Sequence, residues 1–488
     1  MFEAAELGRT LSKSEFDKLE PDLHTRLLQA QRDLRGTGIP VIIIVSGVEG
    51  AGKGEVVNRL NEWLDTRGIE TTAFWDESDE ERERPPYWRF WRRLPARGNI
   101  GVMFGSWYTH PIIDFVFKRI EQAEYEKQLE RINEFEQMLS EDGALIIKFW
   151  FHLSEKNQRR KLEKENADGR HTPLLKKFSK RYKQFSQASE QALRMTDKGS
   201  SPWYVIEATD RRYRDITVGN ILLEALQQKI AQSGKPVTHK PLPTVKTPNG
   251  LTVLNGVDLE RTVTPKTYDK QLEKLQKQFY QLTWAAKQKK RSTIAVFEGW
   301  DAAGKGGAIR RMTGAMDARL YKAISVVAPT DEERAHHYLW RFWRHLPRAG
   351  YVTIYDRSWY GRVLVERVEK FAREQDWHRA YHEINDFEEQ LHEHGIIINK
   401  FWLHISKEEQ LRRFKEREKT PWKKHKITEE DWRNRDKWDA YEHAVNDMVV
   451  RTSTAFAPWT LIPANDKRLA RIEVLKAACK RLEQALDD

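Results

Sequence analysis

The stretch WRFWRRLP at 88–95 returns as WRFWRHLP at 340–347, and this recurrence constrains the chain more than any other feature. The same offset of 252 residues carries Phe16-Asp17-Lys18 onto Tyr268-Asp269-Lys270. It carries Ser106-Trp107-Tyr108 onto Ser358-Trp359-Tyr360, and Lys148-Phe149-Trp150 onto Lys400-Phe401-Trp402. After a small length difference the register resumes, with Pro202-Trp203 against Pro458-Trp459 and Asp210 against Asp466. A constant offset over so long a span makes the chain two copies of one domain. Its 488 residues would in any case exceed one ordinary core. SGKPVTHKPLPTVKTPNG (233–250) is rich in Pro, Gly and Thr and lacks periodicity. Residues 231–262 are therefore expected to link a first domain, 1–230, to a second, 263–488.

Within each copy, short apolar runs alternate with amphipathic stretches. In the second copy the runs are TIAVFEG (293–299), AISVVAP (323–329), YVTIYD (351–356), IIINKFWLHI (396–405) and WTLIPA (459–464). Tyr381, Ile384, Phe387 and Leu391 stand three and four apart, which is one face of a helix. Strands alternating with helices predict a parallel sheet covered on both faces, an α/β fold.

Composition narrows the partners. Lysine and arginine number 84 against 73 acids, a formal charge of +11, so the partner is an anion: nucleic acid, a phosphorylated small molecule or a polyanion. Nucleic acid would rest on net charge alone and is not expected. The single cysteine, Cys479, allows no internal disulfide and suits a reducing, cytoplasmic location. No apolar run approaches the roughly 20 residues of a membrane helix, so no membrane partner is expected. The opening MFEAAELGRTLSK lacks the basic-then-apolar pattern of a secretory signal.

The chemistry begins at GWDAAGKGG (299–307), which follows the first strand of the second copy and opens a helix. It fits G-x-x-x-x-G-K, in which backbone N–H groups cradle phosphate and the lysine neutralises its oxygens. Gly299, Gly304, Lys305 and Gly306 are the expected phosphate-binding residues. GVEGAGKGE (47–55) stands in register in the first copy, with its lysine at Lys53. Both copies lack the Ser or Thr that ordinarily follows the lysine and holds Mg²⁺, having Gly306 and Gly54 instead. A metal must then use another oxygen ligand, and Asp301 inside the loop is the nearest carboxylate. Glu49 takes that place in the first copy.

The third strand ends at Asp356, where an open α/β sheet lines its ligand crevice. Asp356 is the second expected metal or catalytic carboxylate. Arg357 follows it, with Arg362 and Arg367 beyond, and arginine can grip phosphate through two N–H groups at once. After the fourth strand, EEQLRRFKEREKTPWKKHK (408–426) is strongly basic, and Arg412, Arg413 and Lys423 are expected phosphate contacts from a lid. The first copy has a basic segment here too, including Arg159, Arg160 and Lys161. In WRFWRHLP, Trp340 and Trp343 share one helical face and read as core, leaving Arg341 or Arg344 as candidates for the cleft. Where the second copy has Asp356-Arg357, the first has Phe104-Gly105. The first copy should therefore be inactive and serve as a structural half.

The motifs GWDAAGKGG, YDRSWYGR and WRFWRHLP, with the ending RTSTAFAPWTLIPANDKRLAR (451–471), resemble the polyphosphate kinase type 2 family. The two-copy form is similar to its fused subclass. The resemblance covers nearly the whole chain outside the linker. It implies a tandem pair of thymidylate-kinase-like phosphate-loop domains, each with a helical lid. It also implies Mg²⁺-dependent transfer of the terminal phosphoryl group of inorganic polyphosphate to AMP, giving ADP. On matching positions it implies site roles for Asp301, Lys305, Asp356, Arg357 and the basic lid. Two other readings stand beside it: an ATP-dependent nucleotide kinase on the same fold, and a non-catalytic polyanion-binding protein. Two fused copies resemble a dimer made covalent, and further self-association is an open expectation.

Overall fold

The computed structural model describes residues 1–167, 180–233, 252–421 and 427–487. The chain divides into two compact units. One comprises Met1–Glu77, Arg89–Val237 and Thr330–His337, the other Ser78–Trp88, Thr238–Pro329 and Tyr338–Asp488. The units thus follow the two copies, except that one short segment of each is assigned to the other.

Each unit is built on a five-stranded sheet whose paired strands are all parallel. The first contains β1 (Val41–Gly47), β2 (Ile69–Ala73), β3 (Ile100–Phe104), β4 (Leu145–His152) and β5 (Trp203–Glu207), ordered β2-β3-β1-β4-β5. The second contains β6 (Thr293–Gly299), β7 (Tyr321–Ser325), β8 (Val352–Asp356), β9 (Ile397–His404) and β10 (Trp459–Pro463), ordered β7-β8-β6-β9-β10. The orders correspond strand for strand. β1 and β6 are central, and their apolar runs Val41–Val45 and Ile294–Phe297 are fully buried, as suits strands covered on both faces.

The second strand of the second copy departs from the expected 323–329: it runs from Tyr321 to Ser325 and lies at the sheet edge, half exposed. Val326–Pro329 continue past the sheet, and Val327 is 67% exposed. An apolar sequence run marks burial only when a neighbour covers it. The helix Glu374–Glu393 does bury its expected stripe of Tyr381, Ile384, Phe387 and Leu391. Each such side chain contributes about 1.5–3 kcal/mol on burial.

The repeated Ser-Trp-Tyr turn has one structural cause in both units. Lys400 Nζ, fully buried, donates to Glu388 Oε2 at 2.7 Å, to the Tyr360 hydroxyl at 2.8 Å and to the Thr452 carbonyl at 2.7 Å. Trp359 Nε1 and the Tyr360 hydroxyl both donate to the other Glu388 oxygen. Lys148, Glu136, Tyr108, Trp107 and Thr196 repeat the arrangement. The cluster pins the turn after the third strand to the fourth strand and a covering helix. Its presence in both copies marks it as scaffold rather than chemistry. Among the described residues, no helix is long and apolar enough to cross a membrane.

Candidate active site

Because β8 pairs with β6 so that Asp356 faces Phe297, the carboxyl end of β8 lies beside the loop that leaves β6. The loop can turn there only with glycine at Gly299, whose φ is 150° and whose added Cβ would lie 2.6 Å from the Leu403 carbonyl oxygen. Gly304, at φ 110°, leads into the helix Lys305–Thr313 and leaves its first N–H groups facing the loop. Lys305 Nζ folds back onto the loop's own carbonyls, donating to Gly299 O at 2.6 Å and Trp300 O at 3.2 Å. Trp300 stacks on Trp438 with centroids 3.7 Å apart, and its Nε1 donates to His404 Nδ1 at 3.1 Å. Burial pushes the His404 imidazole down to about 4, so at neutral pH it is the neutral acceptor this bond requires.

Asp301, Lys305, Asp356 and Arg357 line one cavity of about 620 Å³, together with Gly304 and Gly306. Arg357 Nη2 donates to Asp301 Oδ1 at 3.2 Å, and Asn434 Nδ2 donates to Asp301 Oδ2 at 2.9 Å. Arg357 adopts φ 64°, a strained backbone for a residue with a side chain. Burial opposes its charge, but Asp301, Glu298 and Glu430 outweigh that and raise its pKa.

Among the described residues, the other expected contacts are engaged within the protein, and of these Arg413 also lines the cavity. Arg413 is buried, and its five N–H groups go to Glu409 Oε1 at 2.5 Å, Ala302 O and Ala303 O at 2.9 Å, Ala464 O at 2.6 Å and Asn465 O at 2.8 Å. It straps the phosphate loop to the end of β10 and has no donor left for a phosphate. Arg412 is 61% exposed and pairs with Glu409 and Glu416. Arg362 pairs with Glu366 at 3.0 Å over the Tyr338 ring, and Arg367 with Asp447 at 2.8 Å. Neither Arg412 nor Arg362 lines the cavity. Arg341 ties the Val327 carbonyl at 3.1 Å, and Arg344 lies over the Trp340 ring. Lys423 falls outside the described residues.

The cations that do line the cavity beside Lys305 and Arg357 include Arg310, Arg417, Lys467 and Arg471. Glu298 is a further group the sequence reading passed over. It is buried one residue before Gly299 and accepts the Ser358 hydroxyl at 2.8 Å. Burial raises its pKa, against the pull of Ser358, Lys305 and Arg357. The repeat held a signal for it, because the first copy has Ser46 at that place.

Among the described residues, no three His, Cys, Asp or Glu side chains gather into a metal cage. Two carboxylates beside a phosphate loop fit a different kind of site. Mg²⁺ takes one or two protein carboxylates and completes its shell with phosphate oxygens and water.

The first copy keeps the loop but neutralises it internally. Lys53 Nζ donates to Gly47 O at 3.0 Å and Val48 O at 3.1 Å, and also pairs with Glu49 at 3.1 Å. A Cβ on Gly52 would collide with the buried guanidinium of Arg214, which is paired with Glu55 at 3.0 Å and Asp215 at 2.8 Å. In the second copy those places hold Ala470, Gly307 and Arg471. Gly105, at φ 79°, stands where the second copy has Arg357, and a Cβ on it would lie 2.8 Å from the Phe74 carbonyl oxygen.

A parallel sheet whose central strand runs into this loop, with Asp356 and Arg357 beside it, defines a phosphate-loop kinase. The family model for polyphosphate kinase 2 (PPK2) matches residues 10–234 and again 262–488. The chain therefore belongs to the polyphosphate kinase 2 family and carries its domain twice. It is 51% identical over 492 residues to the polyphosphate:AMP phosphotransferase of Pseudomonas aeruginosa, covering 99% of both chains. With the enzyme of the same name from Acinetobacter johnsonii it shares 38% over 480 residues, 96% of this chain and 97% of the other. A crystal structure of a polyphosphate kinase 2 from Pseudomonas aeruginosa PA01 superposes with a TM-score of 0.90 at 49% identity, covering 100% of this chain and 99% of that one.

Proposed function

We propose that the protein moves the terminal phosphoryl group of inorganic polyphosphate to AMP, giving ADP and a chain shorter by one phosphate, at the loop of the second copy. The observation that carries this reading is the full-length likeness to two-copy relatives named for that reaction, at 51% identity. The site chemistry supports it. The phosphate of AMP is a monoester with a second pKa of about 6, so it meets the donor mostly as a dianion and needs little help from a base. One of its oxygens forms the new bond to the terminal phosphorus, and the bridging oxygen of polyphosphate leaves with the electron pair of the broken bond.

The protein's work is to bring two polyanions together and offset the charge spread over the transferred group. The N–H groups at the start of Lys305–Thr313 and the Lys305 ammonium offer that compensation at the loop. Arg357 offers two parallel donors from the end of β8, and Arg310, Arg417, Lys467 and Arg471 supply positive charge to the same cavity. Asp301 and Asp356 would hold Mg²⁺, which would supply positive charge to offset that of the phosphates. The carboxylates have this holding role first, and a proton-accepting role for Asp356 is secondary.

The test incubates the protein with AMP, Mg²⁺ and either polyphosphate or ATP, and follows ADP against a control without enzyme. ADP forming with polyphosphate is the expected result. ADP forming only with ATP would favour ordinary nucleotide kinase chemistry, and tight polyphosphate binding without turnover would favour a scaffold.

A further inference from the structure

Asn434 was not among the residues expected from the sequence, yet it points at the carboxylate that matters most in the loop. Asp301 divides its two oxygens between unlike partners. Oδ1 receives Arg357 at 3.2 Å, and Oδ2 receives Asn434 at 2.9 Å. Arg357 is a cation with a 45% exposed side chain, and a second carboxylate, Glu430, stands 3.9 Å from its Nη1. Such a group can exchange one anion for another at modest cost. Asn434 is neutral and is held from behind: its Oδ1 accepts the hydroxyl of Tyr441 at 3.0 Å, and Tyr441 is buried. With its oxygen used in this way, the amide presents its NH₂ edge to Asp301. Tyr441 also packs edge-on to Trp300, the loop residue before Asp301, with centroids 6.5 Å apart. The amide and the loop are thus referred to the same aromatic wall.

A divalent cation on Oδ1 would repel the guanidinium now there but is compatible with a neutral amide on Oδ2. Metal-binding groups are commonly oriented by such outer partners. The first copy lacks the arrangement: in the register that sets Thr196 against Thr452, Phe185 replaces Tyr441, and Glu49 replaces Asp301.

We propose that Asn434, oriented by Tyr441, is a positioning residue that fixes Asp301 with Oδ1 toward the divalent cation, while Arg357 holds that oxygen's place until cation and phosphates arrive. This rests on the reading of Asp301 as a metal ligand given above. The test uses Mn²⁺ as a paramagnetic probe. Free Mn²⁺ is counted by electron paramagnetic resonance against the full-length protein and its variants, without nucleotide or polyphosphate. Asp301→Asn should abolish the binding, Asn434→Ala should weaken it roughly 10–100-fold, and Tyr441→Phe should shift it the same way by less. In turnover, the Mg²⁺ concentration for half-maximal rate should rise in Asn434→Ala while KM for AMP stays unchanged. Tyr441→Phe guards against misfolding, since phenylalanine is what the first copy places there. Wild-type Mn²⁺ affinity in both Asn434→Ala and Tyr441→Phe would overturn the positioning role while leaving the cation site standing. Unchanged binding in Asp301→Asn would overturn the cation reading itself, and this inference with it.

Discussion

The two phosphate loops share a backbone and differ in where their charges go. In the second copy Lys305 rests on carbonyls of its own loop, Asp301 faces a cavity, and Arg357 stands beside it. In the first copy Lys53 is paired with Glu49, Arg214 with Glu55 and Asp215, and the strand end carries Phe104 and Gly105. Yet the buried Lys–Glu–Tyr–Trp cluster is the same in both, with Lys–Glu distances of 2.7 Å. Scaffold and chemistry are therefore separable in this domain. The first copy keeps what folds the sheet, and it lacks, or pairs within itself, the charged groups to which the proposed reaction assigns phosphate binding and transfer.

The largest effect should come from giving the second copy the strand end of the first. Asp356→Phe with Arg357→Gly should remove activity by about 10²-fold or more for each group, measured as ADP formed from AMP and polyphosphate. The reverse graft, Phe104→Asp with Gly105→Arg, should give the first copy no activity when Lys305 is also changed to Ala. A Cβ at Gly105 would lie 2.8 Å from the Phe74 carbonyl, and Lys53 would still be paired. Activity appearing there would break the comparison.

The shared scaffold makes a symmetric prediction. Lys148→Met and Lys400→Met each leave a buried glutamate without its cation, and each should cost about 3–5 kcal/mol in denaturant unfolding. A large cost in one half only would contradict a common architecture. A smaller, one-sided effect should come from His404. The unfolded chain takes up its proton near 6.5 and the folded one near 4, so between them the unfolded state binds more protons. Stability should fall as pH drops from 6.5 toward 4, by roughly 3 kcal/mol in full. His404→Gln should flatten that fall in thermal unfolding curves. The first copy's His152 has the Glu6 carboxylate at 2.7 Å instead.

What was legible in the sequence was legible because it was local or repeated. The loop compresses glycines and lysine into a few residues, so their grouping is set by the chain itself. Asp356 could be placed because the end of an apolar run fixes the end of a strand. The arginines were harder, because a sequence shows a cation and not its partners. Arg413 reads like any lid arginine until the fold brings it to the carbonyl of Ala464, 51 residues away. Lys467 and Arg471 lie on the final helix, whose first turn reaches the loop only through the order of the strands. Glu298 was hidden inside an apolar run, where a lone acid breaks the pattern without announcing a role. Setting the copies side by side would have exposed it, as it exposed Asp356 and Arg357.

The central claim is that turnover belongs to the second copy alone, and two lysines at matched places test it most directly. Lys305→Ala and Lys53→Ala should be assayed together for ADP formation from AMP and polyphosphate, with folding checked by circular dichroism. Lys305→Ala should lose about 10²-fold or more, while Lys53→Ala should stay close to wild type. Equal losses in the two variants would contradict the claim.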